Sequence, residues 1–383
     1  MGLLRYVLIA LALLAAPASA HADWQRGVDF TTYSASTYGS AASDASLARA
    51  AASGNDSVSI VVTQYMDNPA SSSIRANGAT PTDASVLHAM RTARSLDLQV
   101  NLKPQVDLVS GAWVGTIAPA DPDAWFASYE AMIDHYAELA RQGGASMLVM
   151  GTELKTMSGA AYTARWQQII AGLRQRFPGK LTYAANWNEY KQVQFWGSLD
   201  SIGVDGYFPL TDSPAPTVSQ LVSAWTSRGY VDGLRAISQA FGRQVLFTEI
   251  GYRSIVGAAI SPNIWNSQAL YSMDEEANAY EAAYRVFAGK PWLAGMYWWS
   301  WPATLPTGGW NGDYTPTYKP AEDVMRSWNA KLSDTPAQTA PAPVTSSPAP
   351  AAPVAKKPTL AKKKKRATKR HRKAKRRHRR KHR

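Results

Sequence analysis

Two hydrophobic patterns alternate along the middle of the chain. Short continuous apolar runs, of the kind buried on both faces of a parallel sheet, are each followed by a stretch with helical spacing or helix-start residues. The first run is Arg26 to Phe30, followed by an Ala-rich helix over Ala41 to Ser53. Val58 to Tyr65 is the second, with a helix opening at Thr82-Asp83 and running to Leu96; Leu98 to Val106 is the third, followed by Asp121 to Arg141, whose Asp-Pro-Asp start suits a helix N-terminus. Ser146 to Glu153 and then Ala160 to Phe177, stopped by Pro178-Gly179, make the fourth pair. Leu181 to Trp187 is the fifth strand, with a short helix near Val193; Leu199 to Tyr207 is the sixth, with a helix over Val218 to Ala240. Val245 to Ile250 with Ser267 to Ala288, and Leu293 to Trp299 with Pro320 to Lys331, complete eight units. Eight strand-helix units in series predict an α/β fold, a single (β/α)8 TIM barrel. The competing architecture, a doubly wound open sheet, usually has fewer strands and a Gly-rich phosphate turn, and the chain has neither GxGxxG nor a Walker pattern.

Two of these runs end alike. Met147 to Leu154 closes on Thr152-Glu153-Leu154, and Val245 to Ile250 closes on Thr248-Glu249-Ile250. A carboxylate at the C-terminal end of a barrel strand stands where such folds keep their chemistry. Either Glu alone could be a strand-end residue turned to solvent; the repeated context favours a site.

The ends of the chain read differently. Met1 to Ala22, with Arg5, an apolar core from Tyr6 to Ala16 and small residues at Ala18, Ala20 and Ala22, predicts a secretory signal peptide. Its apolar core is about half the ~20 residues that span a bilayer. The chain has no cysteine, so neither a disulfide nor a lipid on Cys is available and stability must come from a core. Of 41 Lys and Arg, 18 lie between Lys356 and Arg383, leaving 23 against 28 acidic residues, a body of net charge −5. The high pI therefore belongs to the tail. The expected organisation is signal 1–22, barrel 23–333, a Pro/Ala-rich linker 334–355, and a disordered Lys/Arg-rich tail 356–383.

Chemistry narrows by elimination. His21 lies at the signal junction, His88 and His135 lie in helices, and His371, His378 and His382 lie in the tail. A zinc site, a Ser-His-Asp triad and a thiol nucleophile are thus poorly supported, and no cofactor is expected. Strand ends instead offer Glu153, Asn186, Trp187, Asp205, Tyr207, Glu249, Trp298 and Trp299. Rings that stack on pyranose faces, amides that bond hydroxyls and two carboxylates form the inventory of a sugar-cleaving site. For any single Trp, packing is the alternative.

These residues also carry a resemblance. Gly151-Thr152-Glu153-Leu154, Leu181 to Trp187, Phe195-Trp196 with Leu199 to Tyr207, and Thr248-Glu249-Ile250-Gly251-Tyr252 resemble glycoside hydrolase family 113 in order and spacing from Gly27 to Trp328, and Leu102-Lys103-Pro104 fits as well. The resemblance implies a retaining (β/α)8 glycosidase with Glu153 as acid/base and Glu249 as nucleophile, the family's activity being on β-1,4-mannan; a bacterial exopolysaccharide is the other substrate left open. Beside these, the strand-end residues Asn186, Trp187, Tyr207, Trp298, Trp299 and Asp205, with Lys103 on the third strand, are candidate substrate contacts, Trp299 as the sugar platform and Tyr207 as either the donor that keeps Glu249 ionised or a rim aromatic. In the wider clan an Asn usually precedes the acid/base and bonds the sugar 2-hydroxyl; here the residue is Thr152. The expected partners are a polysaccharide or oligosaccharide substrate, plus an anionic envelope polymer or acidic glycan at the tail, for a monomer that is exported to the periplasm, envelope or medium. A non-catalytic carbohydrate-binding barrel would not need both carboxylates. A nucleic-acid or polyanion binder is suggested only by the tail, and the acidic body and the signal weigh against specific nucleic-acid binding.

Overall fold

The computed structural model of the protein describes residues 24–307 and 311–333. The signal, linker and tail segments lie outside the described residues. Eight parallel strands close in sequence order, each bonded to the next and β8 to β1. They are β1 Gln25–Thr31, β2 Ser57–Met66, β3 Gln99–Leu108, β4 Met147–Thr152, β5 Lys180–Asn186, β6 Ile202–Asp205, β7 Val245–Ile250 and β8 Leu293–Pro302. The helices are α1 Ala41–Ala52, α2 Asp83–Ser95, α3 Pro122–Gly143, α4 Thr163–Arg176, α5 Val218–Ser227, α6 Tyr230–Phe241, α7 Met273–Phe287 and α8 Pro320–Ser333. The fold is the (β/α)8 barrel that the alternating pattern predicts.

Local chemistry sets the helix starts. Ser40, Thr82, Asp121 and Ser272 each accept a backbone N–H at an N-terminus, and Thr217 with Gln220 forms a reciprocal capping box. Three elements differ from the sequence pattern. The stretch expected as one helix over Val218 to Ala240 is two, broken at Gly229, whose left-handed φ of 75° suits glycine. The helix expected from Ser267 begins only at Met273, because the preceding residues form a loop that pairs Tyr271 with Ile255. The short helix expected near Val193 is a single turn at Trp196–Ser198.

Side-chain alternation divides the barrel into two chemistries. Outward positions such as Val28, Phe30, Ile60, Leu102, Val204 and Phe247 pack against the helices in one large apolar cluster. Inward positions are mostly polar: bonds run across the lumen from Asn101 Nδ2 to Tyr297 Oη (2.5 Å) and from Lys103 Nζ to Glu249 Oε1. The apolar content of the inner wall includes a small cluster of Met147, Leu246, Ala294 and Tyr297, with Val61 and Val149 also facing inward. Stability therefore resides in the layer between strands and helices, which leaves the lumen free to carry charge.

Strand β6 is held at close quarters. A Cβ at Gly203 would lie 2.2 Å from the Tyr183 carbonyl oxygen on β5 and 2.9 Å from Thr248 Cγ2 on β7, whereas one at Gly172 in α4 would meet nothing within 4 Å. Gly203→Ala is expected to destabilise the barrel by about 1–3 kcal/mol, by forcing two neighbouring strands apart. Gly172→Ala is expected to stabilise it by about 0.5–1 kcal/mol through helix propensity. Thermal melts of the two variants should move in opposite directions; a common direction would contradict the packing described for β6.

Candidate active site

The site forms at the C-terminal ends of the strands, on two sides of the lumen. On one side β7 presents Glu249, which is 6% exposed. Its Oε2 accepts the Tyr207 hydroxyl at 2.6 Å, and its Oε1 accepts Lys103 Nζ, reaching across from β3. Lys103 is fully buried and also donates to the Thr248 carbonyl at 3.3 Å. Asp29 of β1 stands 3.6 Å from the same ammonium, and Asp205 of β6 accepts the Thr248 hydroxyl at 2.8 Å. One cation thus serves three buried carboxyls. Burial works against the charge on Lys103, but Asp29, Glu249 and Asp205 outweigh it and hold its pKa above the ordinary lysine value. Burial pushes Asp29 up to about 8, with Lys103 opposing and Glu249 adding to the rise. It also drives Asp205 well above the carboxylate range, again with Glu249 adding to the rise.

On the other side Glu153 follows β4 directly. Its φ of +52° is unusual for a residue with a Cβ. Its N–H donates to the Ala184 carbonyl at 2.8 Å and its carbonyl accepts the Lys155 N–H at 2.8 Å, so neighbouring backbone holds the turn in place. Oε1 accepts Asn186 Nδ2 at 2.6 Å and Oε2 accepts Trp113 Nε1 at 2.5 Å. Asn186 is itself fixed by buried Glu189, which takes its backbone N–H at 2.9 Å while accepting Ser158 Oγ and Tyr183 Oη, each at 2.6 Å. Tyr183 Oη in turn accepts the Leu154 N–H at 2.8 Å, tying this network to the residue after Glu153. Burial raises the Glu153 pKa to about 8; the charge of Glu249 adds to this, and the Trp113 and Asn186 donors oppose it. The two carboxyls are therefore unlike: one carries its proton near neutrality, and the other is bonded to a buried ammonium.

Residues 29–314 match the model of Glycoside Hydrolase Family 113. The chain belongs to glycoside hydrolase family 113. Among solved structures it is similar to a family 113 β-mannanase from Alicyclobacillus acidocaldarius in complex with ManMIm, at 28% identity and a TM-score of 0.74 over 81% of this chain and 98% of that one. A complex structure of a family 113 β-1,4-mannanase is similar at 25% identity and a TM-score of 0.72, over 80% of this chain and 99% of the other. No curated protein matches the chain in sequence. As a family 113 member the protein is a glycoside hydrolase, an activity that commonly uses two carboxyl groups.

The remaining residues singled out in the sequence fall into three groups. Tyr207 and Asn186 each bond one of the two carboxyls. Trp299 has its ring centroid 5.4 Å from Lys103 Nζ, beside Glu249, and Trp187 is half-buried against Phe208. Trp298, Lys103 and Asp205 depart from the substrate contacts expected of them. Trp298 points outward from β8, 1% exposed, stacked on Tyr280 at 3.6 Å and donating to Tyr284 Oη. Strand alternation turns it away from the lumen that its neighbour Trp299 faces. Lys103 and Asp205 are fully enclosed, so they act on the charge around Glu249 instead of touching a sugar. The buried Thr152 hydroxyl has no hydrogen-bond partner among the described residues. Sequence reasoning missed Asp29, Trp113, Glu189 and Tyr314, whose ring lies 6.0 Å from that of Tyr207. Asp29 and Lys103 occupy inward positions in the polar-apolar alternations of β1 and β3, a signal that could have placed both in the lumen. Trp113 and Tyr314 lie in loops, where no periodicity marks a residue as facing the site.

A raised carboxyl pKa fixes the sign of a pH effect. The folded state favours protonated Glu153, whereas the unfolded chain releases that proton near the ordinary glutamate value of 4.5. The resulting stability is complete below the unfolded value and is lost as pH climbs toward about 8. Glu153→Gln, which stays neutral, should melt higher than the wild type at pH 8 to 9, with the gap closing near pH 4. Melts run across that range check this, and a gap that widens toward acid would mean the Glu153 pKa is not raised.

Proposed function

We propose that the protein is a retaining β-mannanase that cleaves β-1,4-linked mannan by double displacement. One observation carries the reading: the carboxyl with a raised pKa and the carboxyl bonded to buried Lys103 and to Tyr207 share one cleft. The β-mannan specificity rests on the family and on the two β-mannanases to which the chain is similar. Glu249 attacks the anomeric carbon while Glu153 gives its proton to the leaving oxygen. Lys103 and Tyr207 supply the positive charge and the donor that keep Glu249 an anion before attack. Bond formation spreads that charge, and Tyr207 and Lys103 remain in place to receive it when the glycosyl-enzyme breaks down. Glu153, now a carboxylate stabilised by Asn186, takes the proton from the incoming water.

Glu249→Gln and Glu153→Gln should each lower turnover of β-1,4-mannooligosaccharides by several orders of magnitude, with circular dichroism unchanged. Azide should restore turnover to Glu153→Ala on an activated substrate, and proton NMR of the first product should show the β-anomer. An initial α-anomer would exclude double displacement.

The charge split along the chain supports a second proposal. An acidic body carrying 18 Lys and Arg within residues 356–383 suits an exported enzyme held by its tail to an anionic envelope polymer or acidic glycan. Removing Lys356 to Arg383 should leave turnover of a soluble neutral oligosaccharide intact and abolish low-salt retention on envelope preparations, and raised salt should release the full-length protein in the same way. Equal retention of both forms would place the anchor on the barrel.

A further inference from the structure

The tryptophan that bonds Glu153 does not belong to the barrel wall. Trp113 lies in the loop between β3 and α3, 40% exposed, and follows four exposed residues that include Gly111 at φ 74°. Behind it the loop is fixed: the Gly115 carbonyl accepts the Thr156 hydroxyl at 2.8 Å, and the Trp113 carbonyl accepts the Thr116 hydroxyl at 2.7 Å. The indole lies over Gly115 so closely that a Cβ there would stand 2.3 Å from the ring. The ring thus has a seat that only glycine permits, an anchored base and an open side.

The seat conflicts with the acid step. Oε1 of Glu153 is occupied by Asn186, a buried donor locked in place by Glu189. The proton of the acid form therefore belongs on Oε2, and a general acid must come within about 2.6–3.2 Å of the leaving oxygen. Trp113 Nε1 stands 2.5 Å from that same oxygen, and it is a donor that cannot accept a proton. A carboxylic hydroxyl oxygen can still accept a hydrogen bond, so the obstacle is the ring itself, which occupies one approach to Oε2.

We propose that Trp113 is a gate on the acid/base. In the free enzyme it caps Oε2 of Glu153; on substrate binding the indole leaves its seat over Gly115 and yields that position to the glycosidic oxygen of the leaving sugar. Trp113 is thereby a positioning residue, acting through Glu153 and only before the Michaelis complex forms. This rests on Glu153 being the acid/base.

The test uses the two states a pH profile can separate, since kcat/KM reports groups in the free enzyme and kcat those in the substrate complex. The other groups around Glu153 are Glu249 from β7, Asp205 from β6, Glu189 after β5, Lys155 engaged by Asn188, and Tyr314 from the loop after β8. All are common to the wild type and the variants. Trp113→Phe removes the donor and keeps a ring. With β-1,4-mannotetraose as probe, the basic limb of kcat/KM should move up by about 0.5–1 pH unit, the effect of losing one hydrogen bond to the carboxylate. The basic limb of kcat should stay where the wild type has it, because the bond is already broken in the complex. Gly115→Ala, which displaces the indole without changing its chemistry, should reproduce both results. A shift of both limbs would show that the bond persists with substrate bound, and an unmoved kcat/KM limb would show that the bond does not hold the carboxylate; either overturns the gate. Failure of the underlying reading has a separate signature: near-normal turnover by Glu153→Gln.

Discussion

A single buried ammonium governs the chemistry of this barrel. Lys103 has no exposed surface and reaches three carboxyl groups from three strands, Asp29, Asp205 and Glu249. An isolated charge in such a place would be neutralised, so the ammonium needs an anion; three anions around one cation would be as costly as none. Burial pushes both Asp29 and Asp205 upward, which disfavours their charged forms, while Glu249 takes the direct contact with the ammonium. The direct bond to the ammonium goes to the carboxyl at the C-terminal end of β7. Inward residues near this point are mostly polar, Val61 beside Lys103 being an exception, and the apolar layer outside the strands must supply the stability that such a lumen cannot.

The opposite wall solves the complementary problem of keeping a carboxyl protonated without letting it move. Glu189 does this indirectly. Buried with three donors, it fixes the backbone N–H of Asn186 and, through Tyr183, the backbone that follows Glu153. The left-handed backbone of Glu153 is held on one side by the Ala184 carbonyl of β5 and on the other by the Lys155 N–H. The charge of Glu249 across the lumen is then enough, with burial, to keep the proton on Glu153. The two walls are coupled by charge, so a change in either is felt by the other.

What the sequence reveals follows from the range of the interaction. The eight strands are legible because burial on both faces leaves continuous apolar runs, and Glu153 and Glu249 because each ends such a run. The split at Gly229 was written in the chain as a glycine inside a helical stretch, but helical spacing continues across it and hides the break. The pairing of Lys103 with Glu249 joins residues 146 apart across the lumen, which no local pattern encodes. Trp298 and Trp299 are identical in composition and neighbours in sequence; only the parity of β8 sends one to Tyr280 and the other toward Lys103.

The same separation of roles extends to the surface. Large hydrophobic side chains more than a third exposed include Tyr33 after β1, Val109 and Trp113 after β3, Trp265, Leu270 and Tyr271 after β7, and Tyr318 after β8. Scattered apolar residues on a protein surface need no explanation, but among the described residues all of this set lie in loops that leave the C-terminal ends of strands. The outward helix faces and the opposite loops contribute none. Folding alone gives no reason for one end of a barrel to retain apolar rings in water, because those rings gain nothing until something covers them. The asymmetry follows if that face exists to be covered by a ligand with flat apolar surfaces, and it coincides with the end of the lumen where Lys103 bonds Glu249.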